Sequence, residues 1–243
     1  MSTQQSTPRR SGIQLLHNKL LPPRMNSNVI HRDNLLSRLD MGLTKKLTVI
    51  TAPTGFGKTT LVSMWIASRD FASAWVTLDE NDNDASRFWT YVVSALRTFD
   101  STVGKNTLSA LMTPQPPSFQ TLLTPLINDL ARLKEPCVLV LEDYHSITSN
   151  EIRDGISFLI QHLPESLHLV LITRTEPDLP LPLLRVRDEV VEINTTNLRF
   201  NQEETEAFLY TAIQADFPSP TVAKLFQKTE GWAAGIAQHD TTR

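Results

Sequence analysis

Five short apolar segments of this sequence have the pattern of β-strands. The first, third and fourth are almost continuously apolar, which is typical of parallel strands covered by helices on both faces. Segments with helical spacing of apolar residues separate the strands, so the sequence predicts an α/β fold with a mainly parallel five-stranded sheet flanked by helices. The predicted strands are residues 47–52, 73–79, 137–143, 167–174 and 190–194, and the predicted helices are residues 58–69, 85–99, 119–133 and 151–163.

Two segments interrupt this alternation. Pro125 lies inside the third helical pattern, so that this helix is either kinked or restarts with Thr124 as its N-cap. Residues 101–118 contain "TPQPPS" and are predicted to form a loop or a surface excursion.

The strand pattern stops near residue 200, and only helical patterns follow. Asn201, with Glu204 three residues later, predicts a capping box at the start of the first of these helices. We therefore expect residues 199–243 to form the start of a helical subdomain.

Composition narrows the class of protein. A hydrophobic fraction of 40% and a mean hydropathy of -0.18 are typical of a soluble globular chain. No segment approaches the roughly 20 apolar residues that span a bilayer, and the polar N-terminus has no signal-peptide pattern. The single Cys137 opens an apolar strand, where a buried and inert thiol is expected. These features predict a cytoplasmic protein that does not associate with membranes.

Charge is unevenly distributed although the net charge is only -3. Residues 1–46 carry eight Lys/Arg and two Asp, hence +6, and the remainder carries 15 cations and 24 anions, hence -9. The basic segment is either a solvated leader, or a contact for phosphates or nucleic acid. We expect residues 1–18 to be a disordered leader, and the acidic body argues against direct DNA binding by this chain.

The stretch "TAPTGFGKTT", residues 51–60, follows the first predicted strand and precedes a helix. Gly55 and Gly57 allow a loop to curl around an anion, with backbone N–H groups and a helix N-terminus facing it. In such loops the lysine, here Lys58, reaches the β- and γ-phosphates, and the following hydroxyl, here Thr59, binds Mg²⁺. Ala52 stands where the usual pattern has its first glycine. The sequence predicts a phosphate-binding loop.

A nucleotide site of this kind needs acidic side chains at the end of a neighbouring core strand. Glu142 and Asp143 end the most apolar strand of the chain. We expect Glu142 to face the Mg²⁺ and Asp143 to face the attacking water, although two acids that merely end a strand at the surface are the alternative. Arg174 ends the next strand and is either a sensor of the γ-phosphate or part of a surface salt bridge.

Other polar residues suggest no separate site. The acidic stretch "LDENDND" lacks the glycine and the distal glutamate of a calcium loop, so it is predicted to be a turn that caps the helix from Ala85. The six histidines show no metal-ligand spacing, and only His145 is near the predicted nucleotide site.

Several motifs occur in an order that resembles one family. They are "LTVITAPTGFGKTTLVSMWIA", "WVTLDENDNDASRFWTYVVSAL", "VLVLEDYHSI", "LHLVLITR", "LRVRDEVVEI", "LRFNQEETEAFL" and "EGWAAGI". Over roughly residues 15–236 the chain resembles the nucleotide-binding part of the MalT-like, LuxR-type ATP-dependent transcriptional regulators, which belong to the STAND class of signal-transduction ATPases. The resemblance implies a P-loop NTPase fold of the ASCE type, with the Arg174 strand between the first and third strands.

The resemblance also implies a nucleotide site made from identified residues. Glu142 stands where the family usually has aspartate, which puts direct Mg²⁺ contact and efficient hydrolysis in question. By position, the implied residues are Pro53, Thr54, Gly55, Phe56, Gly57, Lys58, Thr59 and Thr60 in the phosphate loop; Val29, Ile30 and Arg32 at the adenine; Thr59, Glu142 and Asp143 at the metal; and Asp143, Glu142 and Arg174 in catalysis.

The expected organisation is a disordered leader over residues 1–18, a P-loop nucleotide-binding domain over residues 19–198, and a truncated helical subdomain over residues 199–243. Family members continue with a helical arm, a sensor domain and a DNA-binding helix-turn-helix, for which this sequence has no residues. A truncated chain, a gene fragment and a natural stand-alone module are all compatible with this sequence.

The expected function is an ATP/ADP-binding switch with slow, Mg²⁺-dependent hydrolysis of ATP and ATP-dependent self-association. Two alternatives stay open on the sequence alone. One is a P-loop enzyme, either a kinase or a motor ATPase, with fast turnover. The other is a binding-only remnant without catalysis.

Overall fold

A computed structural model describes residues 14–24, 29–113, 115, 117–213 and 217–239. The strands are β1 (Leu47–Thr51), β2 (Ala72–Thr77), β3 (Cys137–Glu142), β4 (Leu167–Thr173) and β5 (Val190–Asn194). The α-helices are α1 (Asp33–Gly42), α2 (Lys58–Ala67), α3 (Ala85–Leu96), α4 (Lys105–Leu111), α5 (Phe119–Leu130), α6 (Asn150–Gln161), α7 (Leu181–Val186), α8 (Thr195–Leu198), α9 (Gln202–Phe208), α10 (Ser219–Thr229) and α11 (Ala233–His239). Short 3₁₀ helices span His17–Leu20, Glu80–Asn83 and Tyr144–Ser146, and a π-helical turn spans Leu209–Ile213.

The five strands form one parallel sheet in the order β2-β3-β4-β1-β5. The prediction of a parallel five-stranded sheet is confirmed, and so is the position of β4 between β1 and β3. The register pairs Thr51 with Thr173 and Thr77 with Glu142. The carboxyl ends of β1 to β4 therefore meet at one edge, which is where ligands bind in open α/β sheets.

Alternate residues of the strands pack into two cores on opposite faces of the sheet. Leu139 and Leu141 of β3 face a large core that also contains residues of α3, α5 and α6. Val138 and Val140 face a smaller core that also contains residues of α1 and α2. Because both faces are covered, the strand sequences are continuously apolar rather than alternating. The helix that follows the glycine-rich loop, α2, packs on the smaller core.

The prediction of a loop over residues 101–118 is wrong in part, because α4 lies within it. Gly104 precedes the helix with φ +65°, and Val103, Thr107 and Leu111 are buried. Their spacing of four residues places them on one face of a short helix. The glycine and threonines of this stretch, which have low helix propensity, hide that pattern in the sequence.

The helix with an internal proline is continuous. α5 contains Pro125, and its N-cap is Ser118 rather than Thr124. The Thr124 hydroxyl donates instead to the backbone oxygen of Gln120 at 2.7 Å, within the same helix. Of the two alternatives, the restart at Thr124 is therefore wrong.

Part of the predicted leader is packed against the sheet domain. Residues 1–13 lie outside the described residues, but residues 14–18 are described and are not disordered. The backbone N–H of Leu16 donates to the Tyr91 hydroxyl at 3.1 Å. The buried ammonium of Lys19 contacts Asp82, which is fully buried, and Asp79 at 2.9 Å. These contacts hold the segment beside β2, which is an edge strand.

The acidic stretch after β2 forms a capped turn, as the sequence predicts. The Asp84 side chain accepts a hydrogen bond from the backbone N–H of Arg87 at 2.8 Å and caps α3. Asp82 instead accepts from Arg87 Nε at 3.0 Å, besides its contact with Lys19. Within the described part of the chain, no three His, Cys, Asp or Glu side chains gather as a metal cluster.

The C-terminal helical segment, residues 199–239, has a small core of its own. Phe200, Leu209, Val222 and Ile236 are buried together. The predicted capping box is present, since the Asn201 side chain accepts from the Glu204 backbone N–H and the Glu204 side chain accepts from the Asn201 N–H. Among the described residues, none of the helices is long and apolar enough to cross a membrane.

A buried histidine makes the stability of the fold depend on pH. His168 Nδ1 donates to the Lys45 backbone oxygen at 2.9 Å and Nε2 accepts from the Thr48 hydroxyl at 2.9 Å, so the neutral ring satisfies both partners. Burial lowers the pKa of His168 to about 4, although the hydrogen bond to Lys45 opposes the shift. The pKa of an unfolded histidine is about 6.5. The stabilisation is therefore complete above pH 6.5 and is lost as the pH falls towards 4.

We expect this loss to be about 3 kcal/mol in the free energy of unfolding between pH 7 and pH 4. Urea unfolding at a series of pH values measures it. The variant His168→Asn should be less stable at pH 7, but its unfolding should lack this contribution to the pH dependence. Equal pH dependence in the two proteins would contradict the assignment.

Candidate functional site

The glycine-rich loop joins β1 to α2 at the carboxyl edge of the sheet. Gly55 has φ +85° and Gly57 has φ +73°. A Cβ atom on Gly57 would meet no atom within 4 Å, so its backbone conformation rather than crowding requires glycine there. Gly57 is the N-cap of α2 and has no side chain to occupy the first N–H groups of the helix. Those N–H groups are therefore available to an anion.

The Lys58 side chain folds back over this loop. Its Nζ donates to the backbone oxygens of Ala52 at 2.7 Å and Pro53 at 2.9 Å, and the residue is only 8% exposed. Burial lowers the pKa of Lys58; Arg174 adds to this effect, while Asp143 and Glu142 oppose it. These three charged residues, each predicted for the site, thus lie within electrostatic reach of the ammonium group.

Two of the predicted metal ligands, Thr59 and Glu142, are hydrogen-bonded to each other. The Thr59 hydroxyl donates to Glu142 Oε1 at 2.6 Å, and Glu142 is buried. Because the hydroxyl uses its hydrogen in this bond, its lone pairs stay available to a cation. Asp143 follows β3 with φ +55° and is half-buried. Hydroxyl and carboxylate oxygens are the ligands that Mg²⁺ prefers, so the residues fit that ion.

Two further side chains with titratable or charged groups, Arg174 and His145, lie near this edge. Arg174 is the first residue after β4 and is exposed. His145 Nδ1 is buried, has no hydrogen-bond partner among the described residues, and lies 3.8 Å from Asp143 Oδ1. Burial lowers the pKa of His145; Arg174 and Lys58 act in the same direction and Asp143 opposes them. Arg174 thus affects the pKa values of Lys58 and His145, and the described contacts give it no bound partner; its role as a γ-phosphate sensor stays a prediction.

A cavity of about 210 Å³ lies beside the loop, between α2 and the C-terminal helical segment. Most of its lining is apolar. The residues predicted to line the adenine pocket, Val29, Ile30 and Arg32, all contribute to it. The other lining residues are Phe56, Gly57, Thr60, Leu61, Met64, Phe200, Phe208 and Ala233. Sequence reasoning missed five of these residues: Leu61 and Met64 of α2, and Phe200, Phe208 and Ala233 of the helical segment.

Sequence comparison finds regulators among the relatives of this chain. It is 34% identical over 222 residues to the HTH-type transcriptional regulator MalT of Serratia proteamaculans, and 33% identical over 224 residues to MalT of Yersinia pestis. Each match covers 91% of this chain and 24% of the relative. The chain is MalT-like. It spans about a quarter of the length of these relatives, and no protein-family model matches it.

Comparison with solved structures gives the fold. A signal-transduction ATPase with numerous domains (STAND), with a tetratricopeptide repeat sensor, from Pyrococcus horikoshii superposes with a TM-score of 0.62 at 16% identity; the match covers 87% of this chain and 29% of that one. The Orc1 protein of Aeropyrum pernix, solved in complex with DNA, gives a TM-score of 0.51 at 16% identity over 86% of this chain and 58% of that one. The MalT-like chain therefore shares the fold of these two proteins, a parallel five-stranded sheet flanked by helices.

The guanidinium group of Arg32 binds the start of the helical segment and the residues just before it, rather than pointing its donors into the cavity. Its guanidinium donates to both carboxylate oxygens of Glu204, at 2.9 and 3.1 Å. It also donates to the backbone oxygens of Asn197, Leu198 and Arg199, at 3.2, 2.8 and 2.9 Å. Because these donors are occupied, Arg32 could make an ionic contact with a nucleotide only if its hydrogen bonds to Glu204 and to the backbone oxygens were broken. Arg32, which is predicted to bind nucleotide, thus lines the cavity wall while its guanidinium donors are used elsewhere.

The helical segment also contacts the outer side of the phosphate loop. Trp232 Nε1 donates to the Thr54 backbone oxygen at 3.1 Å, and the Ala234 N–H donates to the Gly55 oxygen at 3.1 Å. A Cβ atom on Gly55 would lie 2.5 Å from the Ala234 Cβ, so close packing also requires glycine here. The motif "EGWAAGI" in the sequence marks this segment, but nothing in the motif indicates that it contacts a loop 178 residues earlier.

Proposed function

We propose that this MalT-like chain is an ATP- and ADP-binding switch module that uses Mg²⁺. Its similarity to transcriptional regulators and its STAND-type fold support a regulatory role. The observation that carries the proposal is the position of the phosphate loop. The loop has open N–H groups on its inner side, while its outer carbonyl groups bind Trp232 and Ala234.

A bound nucleotide would touch both parts of the chain. The phosphates would accept from the N–H groups at the start of α2 and from Lys58, which must leave the carbonyl oxygens of Ala52 and Pro53 to reach them. The base would enter the apolar cavity, whose walls include Phe200 and Ala233 of the helical segment. Binding would therefore change the relative stability of two arrangements of the helical segment, which is what a switch requires.

The acidic pair and Arg174 would serve hydrolysis. Thr59 and Glu142 would hold Mg²⁺, with Asp143 nearby, and the ion would neutralise phosphate charge. Asp143 would orient the attacking water, and Arg174 would respond to the γ-phosphate. A switch needs different affinities for ATP and ADP rather than fast turnover, so slow hydrolysis suits it.

The remaining parts of the proposal rest on the family resemblance of the sequence motifs. ATP-dependent self-association, and communication with sensor and DNA-binding domains, would place this chain in the cytoplasm as the nucleotide-responsive part of a regulator. DNA contact would belong to those other domains rather than to this chain.

Calorimetric titration with ADP, ATP and GTP, each with Mg²⁺, tests the proposal. We expect saturable binding of ADP and ATP and weaker or no binding of GTP, because the base would be enclosed by a shaped apolar cavity. Phosphate release from ATP would then be followed over long incubation. Absence of binding by both adenine nucleotides to the folded chain would contradict the proposed function.

A further inference from the structure

The Glu142 carboxylate is held at both of its oxygen atoms. Oε1 accepts from the Thr59 hydroxyl, as described above. Oε2 accepts from the Thr77 hydroxyl at 2.9 Å and from Trp75 Nε1 at 3.1 Å. The same indole N–H lies 3.1 Å from the Thr77 oxygen, so the three side chains form a closed triangle.

The sheet explains why Trp75 and Thr77 reach this carboxylate. Thr77 is the register partner of Glu142 on the neighbouring strand, at the carboxyl ends of β2 and β3. Trp75 lies two residues earlier in β2, and therefore on the same face of the sheet. Its ring is buried in the smaller core beneath α2. The indole is thus fixed by packing on one side and by Glu142 on the other.

The two carboxylate oxygens of Glu142 therefore have different hydrogen-bond partners. Two neutral donors occupy Oε2, so that Oε1 alone faces Thr59 and the end of the phosphate loop. No cationic side chain forms a salt bridge with Glu142 among the described residues. A buried carboxylate needs such donors to stay ordered and charged. Groups that orient a metal ligand in this way strongly affect metal affinity.

We propose that Trp75 and Thr77 are positioning residues that hold Glu142 for Mg²⁺, and that they set how much the ion strengthens nucleotide binding. The inference rests on the proposed function, since it concerns Mg²⁺ bound together with ADP or ATP. It assigns a role to β2 residues that precede the acidic stretch, whose described side-chain hydrogen bonds go to Glu142 and to each other and which do not line the base cavity.

The test measures ADP affinity by calorimetry in excess Mg²⁺ and again in EDTA. In Thr77→Val, which keeps the shape but loses the hydroxyl, the gain in affinity on adding Mg²⁺ should fall about tenfold or more. Trp75→Phe should show the same loss. The affinity in EDTA should equal that of the wild-type chain, because the described side-chain hydrogen bonds of both residues go to Glu142 and to each other rather than to the phosphate loop.

Two control variants separate positioning from general damage to β2. Thr77→Ser restores a hydroxyl and should restore the wild-type gain. Val76→Ala removes volume from the other face of the same strand, where Val76 packs in the large core, and should leave the gain unchanged. Circular dichroism first establishes that each variant is folded.

The other possible results of this calorimetric test contradict either the proposed function or the inference about Trp75 and Thr77. A wild-type chain that binds no ADP in either condition overturns the proposed function, and this inference with it. Variants that keep the full response to Mg²⁺ overturn the inference alone. Wild-type binding that does not respond to Mg²⁺ overturns the inference and the use of Mg²⁺ in the proposed function, but leaves nucleotide binding standing. Equal losses in Mg²⁺ and in EDTA would make Trp75 and Thr77 structural residues and would likewise overturn it.

Discussion

Replacing Lys58 with alanine should lower the affinity for ADP about a hundredfold or more and leave the chain folded. A hydrogen bond from a charged group contributes about 1.5–3 kcal/mol, and every 1.4 kcal/mol is a factor of ten in affinity. In the structure the ammonium satisfies only the backbone oxygens of Ala52 and Pro53. Its loss gives up these two hydrogen bonds but removes no side chain from either apolar core, so the fold should survive without the cation that the phosphates would use.

Calorimetry and thermal unfolding of the same samples measure both parts of this expectation. Lys105→Ala is a matched control, because Lys105 is an exposed lysine at the first position of a different helix, α4. Lys58→Met retains the apolar part of the side chain and provides a second test should alanine unfold the loop. Unchanged ADP affinity in a folded Lys58 variant would mean that the loop does not bind phosphates.

Replacing Asp82 with alanine should cost roughly 3–5 kcal/mol in the free energy of unfolding, because it leaves a buried cation without its main partner. Asp82 is fully buried, and its carboxylate joins Lys19, Arg87 and the Asp79 backbone N–H. Without it, the Lys19 ammonium keeps only Asp79, which is half exposed. We expect the segment around residues 14–20 to detach from β2 before the sheet unfolds.

Urea unfolding gives the total cost, and hydrogen exchange at Leu16, whose N–H binds Tyr91, reports the detachment. Asp70→Ala is the control, since Asp70 is an exposed aspartate that follows α2. Lys19→Met should be milder than Asp82→Ala, because Asp82 keeps Arg87 when Lys19 is lost. A loss below about 1 kcal/mol for Asp82→Ala, the range of exposed ion pairs, would contradict this account.

The sheet could be predicted from the sequence because its information is local. Most of the strands are short runs rich in Val, Ile and Leu between polar turns, and this pattern is visible without knowledge of the helices that cover the sheet. α4 could not be predicted in the same way, since three residues spaced by four carry its burial and glycine and threonine surround them. The packing of residues 14–20 was equally hidden, because the partner of Lys19 lies 63 residues later.

In the candidate site, too, features that depend on neighbouring residues could be predicted, and features that depend on distant residues could not. The phosphate loop is contiguous, so ten residues contain its glycines, lysine and threonines in a recognisable spacing. Glu142 could be predicted from its place at the end of a buried strand. Its partners Trp75 and Thr77 could not, because strand register decides which side chains lie opposite each other. Arg32 lies in the wall of the cavity, yet the hydrogen bonds of its guanidinium depend on residues that follow it by more than 160 positions.

The hydrogen bonds from Trp232 and Ala234 to the phosphate loop have a practical consequence for anyone who would shorten this protein. The sheet ends at Asn194, and a cut after Leu198 would look like a natural boundary. Such a chain would keep every residue of the phosphate loop but would expose the Thr54 and Gly55 carbonyl groups and remove one wall of the cavity. The unit that the proposed nucleotide site requires is therefore larger than the unit that completes the sheet, because it includes α11.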